Sequence, residues 1–222
     1  MTMKLDLYRE QLLTPLETVM GVVGAKQTME ILSHVKLSFN DNQLFVTGTD
    51  LEVELVGQSQ ISPVEQSNNI TLPGKKLIEI CKSLPEKSLI KLSKQNDQFI
   101  LNSGKSKFIL STFSADDFPD MGEFQGNASF EITQKEFKRL LQRTQFAMAH
   151  HDVRYYLNGM LLEITSGSIR MVATDGHRLA ANSVSTKTKT DQRVQNIVPR
   201  KAVLELVRLL NDTDDAVHAQ IG

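Results

Sequence analysis

Two stretches, Val35-Lys36-Leu37-Ser38-Phe39 and Met160-Leu161-Leu162-Glu163-Ile164, decide the fold, because they carry the same strand-like apolar pattern 125 positions apart. At this offset the chain up to Leu51 overlays a second copy without a gap, and after one inserted residue the match resumes. The other paired segments are Lys4–Leu7 with Ser129–Ile132, Gly48-Thr49-Asp50 with Ala173-Thr174-Asp175, and Leu72–Ile80 with Val198–Leu206. A unit of this length is a whole duplicated domain, since solenoid repeats span only about 20–50 residues.

The repeat sets the domain boundaries that we expect. It predicts a first domain over residues 1–120, a linker over 121–128 and a second domain over 129–222. Gly222 falls opposite the strand-rich tail of the first copy, which continues well beyond that point. Sheets are rarely left with open edges, so we expect the second domain to be incomplete and the chain to be a fragment.

Each copy is predicted to contain a strand, a helix and three strands, performed twice. The first helix of each copy is indicated by apolar residues at helical spacing. These residues are Leu12, Leu13, Leu16 and Met20 in the first copy, and Phe137, Leu140, Leu141 and Phe146 in the second. Pro15 is expected to kink the first helix or shift its start, Lys75–Leu84 is predicted as a second helix, and Thr186–Gln195 as a surface loop. The fold class is therefore α+β, with antiparallel sheets carrying two helices per domain.

Composition indicates an ordinary globular protein. Apolar residues make up 40% of the chain and charged residues 23%, and the net charge is −1. There is no run long enough to span a membrane and no secretion signal in Met1–Leu13, so we expect a cytoplasmic protein. Cys81 is the single cysteine, which excludes a disulfide within the chain.

An enzyme is a weaker hypothesis. His150, His151, Asp152 and His177 are candidate metal or catalytic residues, but adjacent histidines project in different directions and chelate poorly together. Asp175 is close enough in sequence to bond His177, yet no serine or cysteine lies in a recognisable nucleophile motif and there is no phosphate-binding loop. We therefore expect no catalytic residues, no metal and no cofactor.

Three motifs closely resemble the bacterial DNA polymerase III β subunit, the sliding clamp. They are Thr49-Asp50-Leu51-Glu52, the run from Met148 to Met160 that contains His150-His151-Asp152-Val153-Arg154-Tyr155-Tyr156-Leu157-Asn158-Gly159, and Ala173-Thr174-Asp175-Gly176-His177-Arg178-Leu179-Ala180. Asp117-Phe118-Pro119 and Val198-Pro199-Arg200-Lys201 resemble it too, and the resemblance covers essentially the whole chain in order.

The resemblance implies a non-catalytic processivity factor. Family members have three such domains, so a third would be absent from this chain, and they form a head-to-tail homodimeric ring with sheets outside and helices lining the hole. Such a ring encircles double-stranded DNA without sequence preference, and a clamp loader places it there. It tethers the replicative DNA polymerase catalytic subunit and other proteins that carry a peptide resembling Gln-Leu-x-Leu-Phe.

The resemblance also implies three sets of site residues. The predicted DNA-binding residues are Lys26, Lys75, His150, His151, Tyr155, Tyr156, Arg200 and Lys201. The predicted peptide pocket comprises Leu157, Thr174, Gly176, His177, Arg178 and Leu179. The predicted dimer face comprises Lys76, Ile80, Leu84, Lys105, Lys107 and Leu110, and without a third domain we expect the fragment to be monomeric.

Each set has an alternative interpretation. In the predicted dimer face, Ile80 and Leu84 lie at i, i+4 on one helix face and are equally compatible with the core. The basic residues are equally compatible with ordinary solvated helix faces, although Lys75 and Lys201 recur at equivalent positions. One of Tyr155 and Tyr156 is expected to point into the core. Thr174–Arg178 is also typical of a tight turn between strands. A regulator that reads a specific DNA sequence is a further alternative, which would need side chains directed at base edges.

Overall fold

The computed structural model describes residues 4–24, 29–64, 67–95, 98–122, 125–190 and 192–222. They form two compact units, Met1–Met121 and Gly122–Gly222. No helix in these ranges is long and apolar enough to cross a membrane.

The first unit contains eight strands and two helices among its described residues. The strands are β1 (Lys4–Tyr8), β2 (His34–Asn40), β3 (Gln43–Thr49), β4 (Glu54–Gln60), β5 (Asn68–Pro73), β6 (Leu89–Gln95), β7 (Gln98–Ser103) and β8 (Ser106–Ser111). The helices are α1 (Arg9–Val19) and α2 (Gly74–Ser83). Short 3₁₀ turns cover Glu30–Ser33 and Ala115–Asp117.

These strands form two antiparallel sheets, with orders β4-β3-β2-β5 and β1-β6-β7-β8. The first half of the unit runs from β1 to β4 and the second half from β5 to β8. Each sheet combines three consecutive strands of one half with the first strand of the other, so both halves contribute to both sheets. The helices α1 and α2 contact each other and the first sheet. A single core joins both sheets to the helices, with Phe39 from β2, Phe99 from β7 and Leu16 from α1 all buried. The predicted order of strand, helix and three strands, performed twice, is confirmed.

Helix α1 continues through Pro15, so the predicted shift in its start is wrong. Proline has no N–H to donate to the carbonyl four residues earlier, which here belongs to Gln11. The hydroxyl of Ser59 on β4 donates to that oxygen instead, at 2.5 Å. Gly57 gives the helix the room it needs, because a Cβ there would lie 2.5 Å from the carbonyl oxygen of Pro15. The neighbouring strand thus supplies both the bond and the space.

The second unit repeats this plan. Its strands are β9 (Ala128–Thr133), β10 (Gly159–Thr165), β11 (Ser168–Thr174), β12 (Leu179–Ser185), β13 (Lys187–Lys189), β14 (Val194–Pro199) and β15 (Ala216–Ile221). Its helices are α3 (Gln134–Gln142) and α4 (Arg200–Leu209), with 3₁₀ turns at Gln145–Ala147 and Tyr155–Asn158. The sheet order β12-β11-β10-β14 reproduces β4-β3-β2-β5 strand for strand, and a second sheet has the order β13-β9-β15.

Two sequence predictions in this unit are wrong. Part of the predicted loop Thr186–Gln195 is strand β13, which pairs with β9. Its central residue, Thr188, accepts a hydrogen bond from the Gly167 N–H (2.8 Å) and donates one to the carbonyl of Thr165 (2.9 Å). Phe146 was expected to lie on the helix face, but α3 ends at Gln142.

Candidate peptide and DNA surfaces

A compact turn, Thr174–Leu179, connects β11 to β12. The Thr174 hydroxyl donates to the carbonyl of Arg178 (2.7 Å) and accepts from the N–H of Gly176 (3.1 Å). One carboxylate oxygen of Asp175 accepts from the N–H groups of His177 and Arg178, each at 3.0 Å. These backbone hydrogen bonds are the main reason that the pKa of Asp175 lies below its ordinary value.

The first unit contains the same turn between β3 and β4. The Thr49 hydroxyl donates to the Val53 carbonyl (3.1 Å) and accepts from the N–H of Leu51 (3.1 Å), and Asp50 accepts from the N–H groups of Glu52 (3.1 Å) and Val53 (2.8 Å). The Thr-Asp pair therefore builds the turn in both units. Specific chemistry has to come from the residues that differ, which in the second unit are Gly176, His177, Arg178 and Leu179.

Arg178 is held at the surface by two neighbours. Its Nε donates to Asp175 at 2.9 Å, and its guanidinium lies over the ring of Phe146, 5.7 Å from the centroid. Phe146 is 57% exposed and Leu179 is 65% exposed. The turn thus presents a fixed cation beside exposed apolar side chains, which is a suitable surface for an apolar peptide with a carbonyl or carboxylate group.

A closed loop, Ala149–Asn158, lies against this turn. The N–H of Ala149 donates to the carbonyl of Leu157 at 3.0 Å, which closes the base of the loop. Inside it, Arg154 donates to both carboxylate oxygens of Asp152, at 3.0 and 2.8 Å. These side-chain hydrogen bonds lower the pKa of Asp152 to about 2. A Cβ on Gly176 would lie 3.2 Å from Nη2 of Arg154, so glycine allows the guanidinium to pack directly on the turn.

The 149–158 loop also carries the predicted aromatic DNA contacts. The rings of His150 and His151 lie 4.0 Å apart between centroids, and those of Tyr155 and Tyr156 lie 5.9 Å apart. Tyr155 is 83% exposed and Tyr156 is 51% exposed, so the expectation that one of them enters the core is wrong. All four side chains are therefore available on the surface of this unit.

The predicted basic DNA contacts are distributed between the units. Lys75 is exposed at the start of α2, and Lys201 occupies the equivalent position of α4. Arg200 lies beside the 149–158 loop, where its Nη1 donates to the Met148 carbonyl at 3.4 Å. Lys26 lies outside the described residues.

Most of the predicted dimer residues line one groove of the first unit. It has a volume of about 510 Å³ and lies between α2 and β8. The lining residues are Lys76, Glu79, Ile80, Ser83, Lys107, Phe108, Ile109 and Leu110. Lys105 is exposed in the adjoining turn, whereas Leu84 and Leu110 are buried and belong largely to the core of the unit.

The first unit's counterpart of the peptide surface is partly covered. At the same offset, Leu157 corresponds to Leu32 and Leu179 corresponds to Glu54. Leu32 is fully buried in a cluster with Ile31 and Phe118. Lys36 lies over the Phe118 ring, 5.4 Å from its centroid, and burial raises the pKa of Glu54. In the second unit the matching Tyr156 and Leu179 are exposed, whereas Leu157 is buried like Leu32. Leu51, the first unit's counterpart of Gly176, is 49% exposed, so the copies differ mainly at the positions of Tyr156 and Leu179.

The two units match two successive domains of one known protein family. Residues 3–122 match the DNA polymerase III beta subunit, N-terminal domain, and residues 131–222 match the DNA polymerase III beta subunit, central domain. The chain belongs to the DNA polymerase III beta subunit family. The resemblance found in the sequence and the predicted clamp fold are thereby confirmed.

Relatives of the DNA polymerase III beta subunit family cover almost the whole chain. A beta sliding clamp of Pseudomonas aeruginosa is 48% identical over 220 residues, which are 99% of this chain and 60% of the relative. A beta sliding clamp of Escherichia coli K12 is 42% identical over 220 residues, with the same coverage. The chain thus spans about 60% of the length of the curated relatives that it matches.

Solved structures of the family give the same result. The crystal structure of the P. aeruginosa DNA polymerase III subunit beta matches with a TM-score of 0.94 at 48% identity, over 99% of this chain and 60% of that one. A P. aeruginosa sliding clamp bound to griselimycin matches with a TM-score of 0.93, again at 48% identity, and covers all of this chain and 60% of that one.

Two residues of this clamp-family surface were missed as site residues in the sequence. The apolar spacing predicts Phe146 on a helix face, and the motif Met148–Met160 contains Arg154 without indicating a role for it. Arg154 packs on Gly176, which is distant in sequence, so no local pattern indicates the contact. Among the described residues, no group of three or more His, Cys, Asp and Glu side chains is placed to hold a metal ion.

Proposed function

We propose that this chain is the DNA- and peptide-binding part of a sliding clamp, a processivity factor that encircles duplex DNA and tethers a polymerase to it. The observation that carries the proposal is the open turn of the second unit, where Gly176-His177-Arg178-Leu179 lies exposed beside the 149–158 loop. In the first unit the matching turn carries Leu51-Glu52-Val53-Glu54, and Phe118 packs with Ile31 and Leu32, the counterparts of Tyr156 and Leu157. The second copy of the duplicated domain thus presents side chains for a ligand that the first copy lacks.

The peptide surface would comprise Leu157, Thr174, Gly176, His177, Arg178 and Leu179. Leu179 and Phe146 offer apolar area, while Arg178 is fixed by Asp175 for a polar group of the ligand. A relative of 48% identity binds griselimycin, which supports a ligand site in this protein too. The partners would be the replicative polymerase catalytic subunit, the clamp loader and other proteins with a clamp-binding peptide.

DNA would be held by charge and stacking without base recognition. Lys75, Arg200 and Lys201 would attract phosphates, a contribution that does not depend on sequence. His150, His151, Tyr155 and Tyr156 would add contacts from the exposed loop, and Lys26 would contribute as a further cation. A sequence-specific regulator would instead need a set of side chains directed at base edges.

The homodimeric ring would use the groove between α2 and β8 as its first-unit face. Lys76, Ile80 and Lys107 line it, with Lys105 beside it and Leu84 and Leu110 supporting it from the core. We expect a polypeptide of these 222 residues, taken by itself, to be a monomer. Sedimentation that gives a stable, concentration-independent dimer of these 222 residues would contradict this part of the proposal.

The clamp would act without catalysis and in the cytoplasm, where a bacterial chromosome is replicated. It would need no cofactor and no metal. Loss of a measured hydrolytic activity on His151→Ala would revive the enzyme alternative.

A titration with griselimycin tests the peptide surface. We expect the 222-residue chain to bind it, and Arg178→Ala to weaken binding by about tenfold, because a charged hydrogen-bond donor is worth roughly 1.5–3 kcal/mol. Arg193→Ala is the matched control, since that arginine also pairs with a carboxylate (Glu163) but lies at the other end of β10. Equal affinity of wild type and Arg178→Ala would remove Arg178 from the site.

A further inference from the structure

The 149–158 loop and the 174–179 turn meet at the side chain of Arg154. The guanidinium of Arg154 lies over Gly176, and a Cβ there would be 3.2 Å from Nη2 and 3.4 Å from Nη1. Gly176 has a φ of +89°, a conformation that glycine adopts without strain. The turn therefore offers bare backbone at the point where the arginine lies.

The arginine is itself fixed in place. The Asp152 carboxylate accepts three hydrogen bonds from Arg154: from Nε at 3.0 Å, from Nη2 at 2.8 Å and from the Arg154 backbone N–H at 2.8 Å. Asn158 then fixes Asp152, since it accepts from the Asp152 N–H (2.9 Å) and donates to the Asp152 carbonyl (2.8 Å). A fork held at both carboxylate oxygens has a defined orientation.

Both candidate surfaces are attached to this arrangement. The carbonyl of Arg154 accepts from the N–H of Leu157 at 2.9 Å, so the pair is tied to the first leucine of the peptide surface. Tyr155 and Tyr156 follow Arg154 directly, and His151 precedes Asp152. Displacing Arg154 would therefore move residues of both surfaces.

The first unit lacks the arrangement. At the offset of the repeat, Leu51 replaces Gly176 and Met29 replaces Arg154. Gly176 and Arg154 are both present in the second unit and both replaced in the first. The Thr and Asp residues that both units share are enough to build the turn. Gly176 and Arg154 are not needed for that, so we expect them to have a role specific to the second unit.

We propose that the Asp152–Arg154 pair is a positioning device that fixes the 149–158 loop on the 174–179 turn, so that a ligand on one surface changes the affinity of the other. The inference rests on the proposed function of both surfaces. Arg154 positions other residues in this scheme, and the ligands are a DNA duplex and an apolar peptide.

Two variants and one control test the pair. Asp152→Asn keeps the shape of the side chain and weakens its hold on the arginine, while Arg154→Lys keeps the charge and loses the planar fork. Glu163→Gln is the control, because it loosens Arg193 from another arginine–carboxylate pair at the surface of the same unit. The measurements are the amide resonances of Gly176 and His177 without ligand, and the affinities for griselimycin and for a short mixed-sequence duplex, each with and without the other.

We expect Asp152→Asn and Arg154→Lys to shift both amide resonances and to weaken griselimycin binding by about fivefold, the lower end of typical coupling between sites. The duplex should change griselimycin affinity in wild type and in Glu163→Gln, and this effect should vanish in the two variants. Duplex affinity should not rise in Asp152→Asn, although simple charge attraction predicts a rise when a negative charge is removed.

Unchanged amide resonances of Gly176 and His177 in both variants would overturn the inference. So would a wild-type protein that binds both ligands independently of each other. A wild-type protein that binds neither ligand would refute the proposed function instead, and the ligand-free resonances would still decide whether the pair fixes the turn.

Discussion

Leu51 and Gly176 occupy the same position of the same turn in the two units, with φ values of +75° and +89°. The surrounding Thr and Asp hydrogen bonds are the same in both. The left-handed region is costly for a leucine, by about 1–2 kcal/mol, and free of strain for glycine. The first unit therefore carries strain that the second unit avoids.

Substitutions of Leu51 and Gly176 should change the free energy of unfolding in opposite directions. We expect Leu51→Gly to raise the free energy of unfolding by about 0.5–1 kcal/mol, because relief of strain exceeds the added freedom of the unfolded chain. Gly176→Ala should lower it by about 1 kcal/mol and displace Arg154. Urea unfolding measures both, and a Leu51→Gly variant less stable than wild type would contradict the assignment of strain.

The Ser59 hydroxyl, which donates to the Gln11 carbonyl in place of the missing N–H of Pro15, gives a second prediction. Ser59→Ala leaves the Gln11 carbonyl without its donor and should cost about 1 kcal/mol of unfolding free energy. The cost should fall when residue 15 regains an N–H, so the same substitution in a Pro15→Ala background should be milder by at least 0.5 kcal/mol, roughly the smallest coupling seen between contacting residues. Additive effects in this double-mutant cycle would show that Ser59 does not substitute for the missing N–H.

A buried histidine gives the pH dependence. His34 is 4% exposed, its Nε2 has no hydrogen-bond partner among the described residues, and its ring lies 4.6 Å from that of Phe113. Burial lowers its pKa from the ordinary value of 6.5; nearby Lys76 lowers it further and Glu30 opposes the shift. As the pH falls, His34 is therefore protonated in the unfolded chain at a higher pH than in the folded protein.

The His34 contribution to stability is fully present above pH 6.5 and is lost as the pH falls from there toward the lowered folded pKa. One proton taken up only by the unfolded chain costs at most about 1.4 kcal/mol per pH unit. We expect His34→Gln to flatten the stability profile between pH 7 and pH 5 in urea titrations. An unchanged slope would mean that His34 is protonated equally in both states.

Salt dependence tests the DNA surface. Each phosphate contact that is lost reduces the slope of log affinity against log salt by about 1. We expect this reduction for Lys75→Ala and for Lys201→Ala, and no change for Lys187→Ala on β13, measured by fluorescence anisotropy with a mixed-sequence duplex. Equal slopes in all three variants would argue against the helices as the DNA-facing elements.

The sequence predicted the duplicated α+β plan because apolar alternation is local and recurs at a fixed offset. It did not predict β13, since Lys187-Thr188-Lys189 is polar and pairs through its backbone and one hydroxyl. The exposure of both tyrosines was also missed, because adjacency says nothing about a loop that faces solvent. The contact of Arg154 with Gly176 depends on how two distant segments meet, which no spacing records.

The segment that covers Leu32 has a consequence for inhibitors. Phe118 packs on Leu32, the first unit's counterpart of Leu157, and it does so as part of the same chain, which favours this contact over one with a separate molecule. A compound aimed at Arg178 and Leu179 would meet no vacant duplicate of its target in the first unit. Binding should therefore saturate at one molecule per chain, and resistance would have to arise around that single surface.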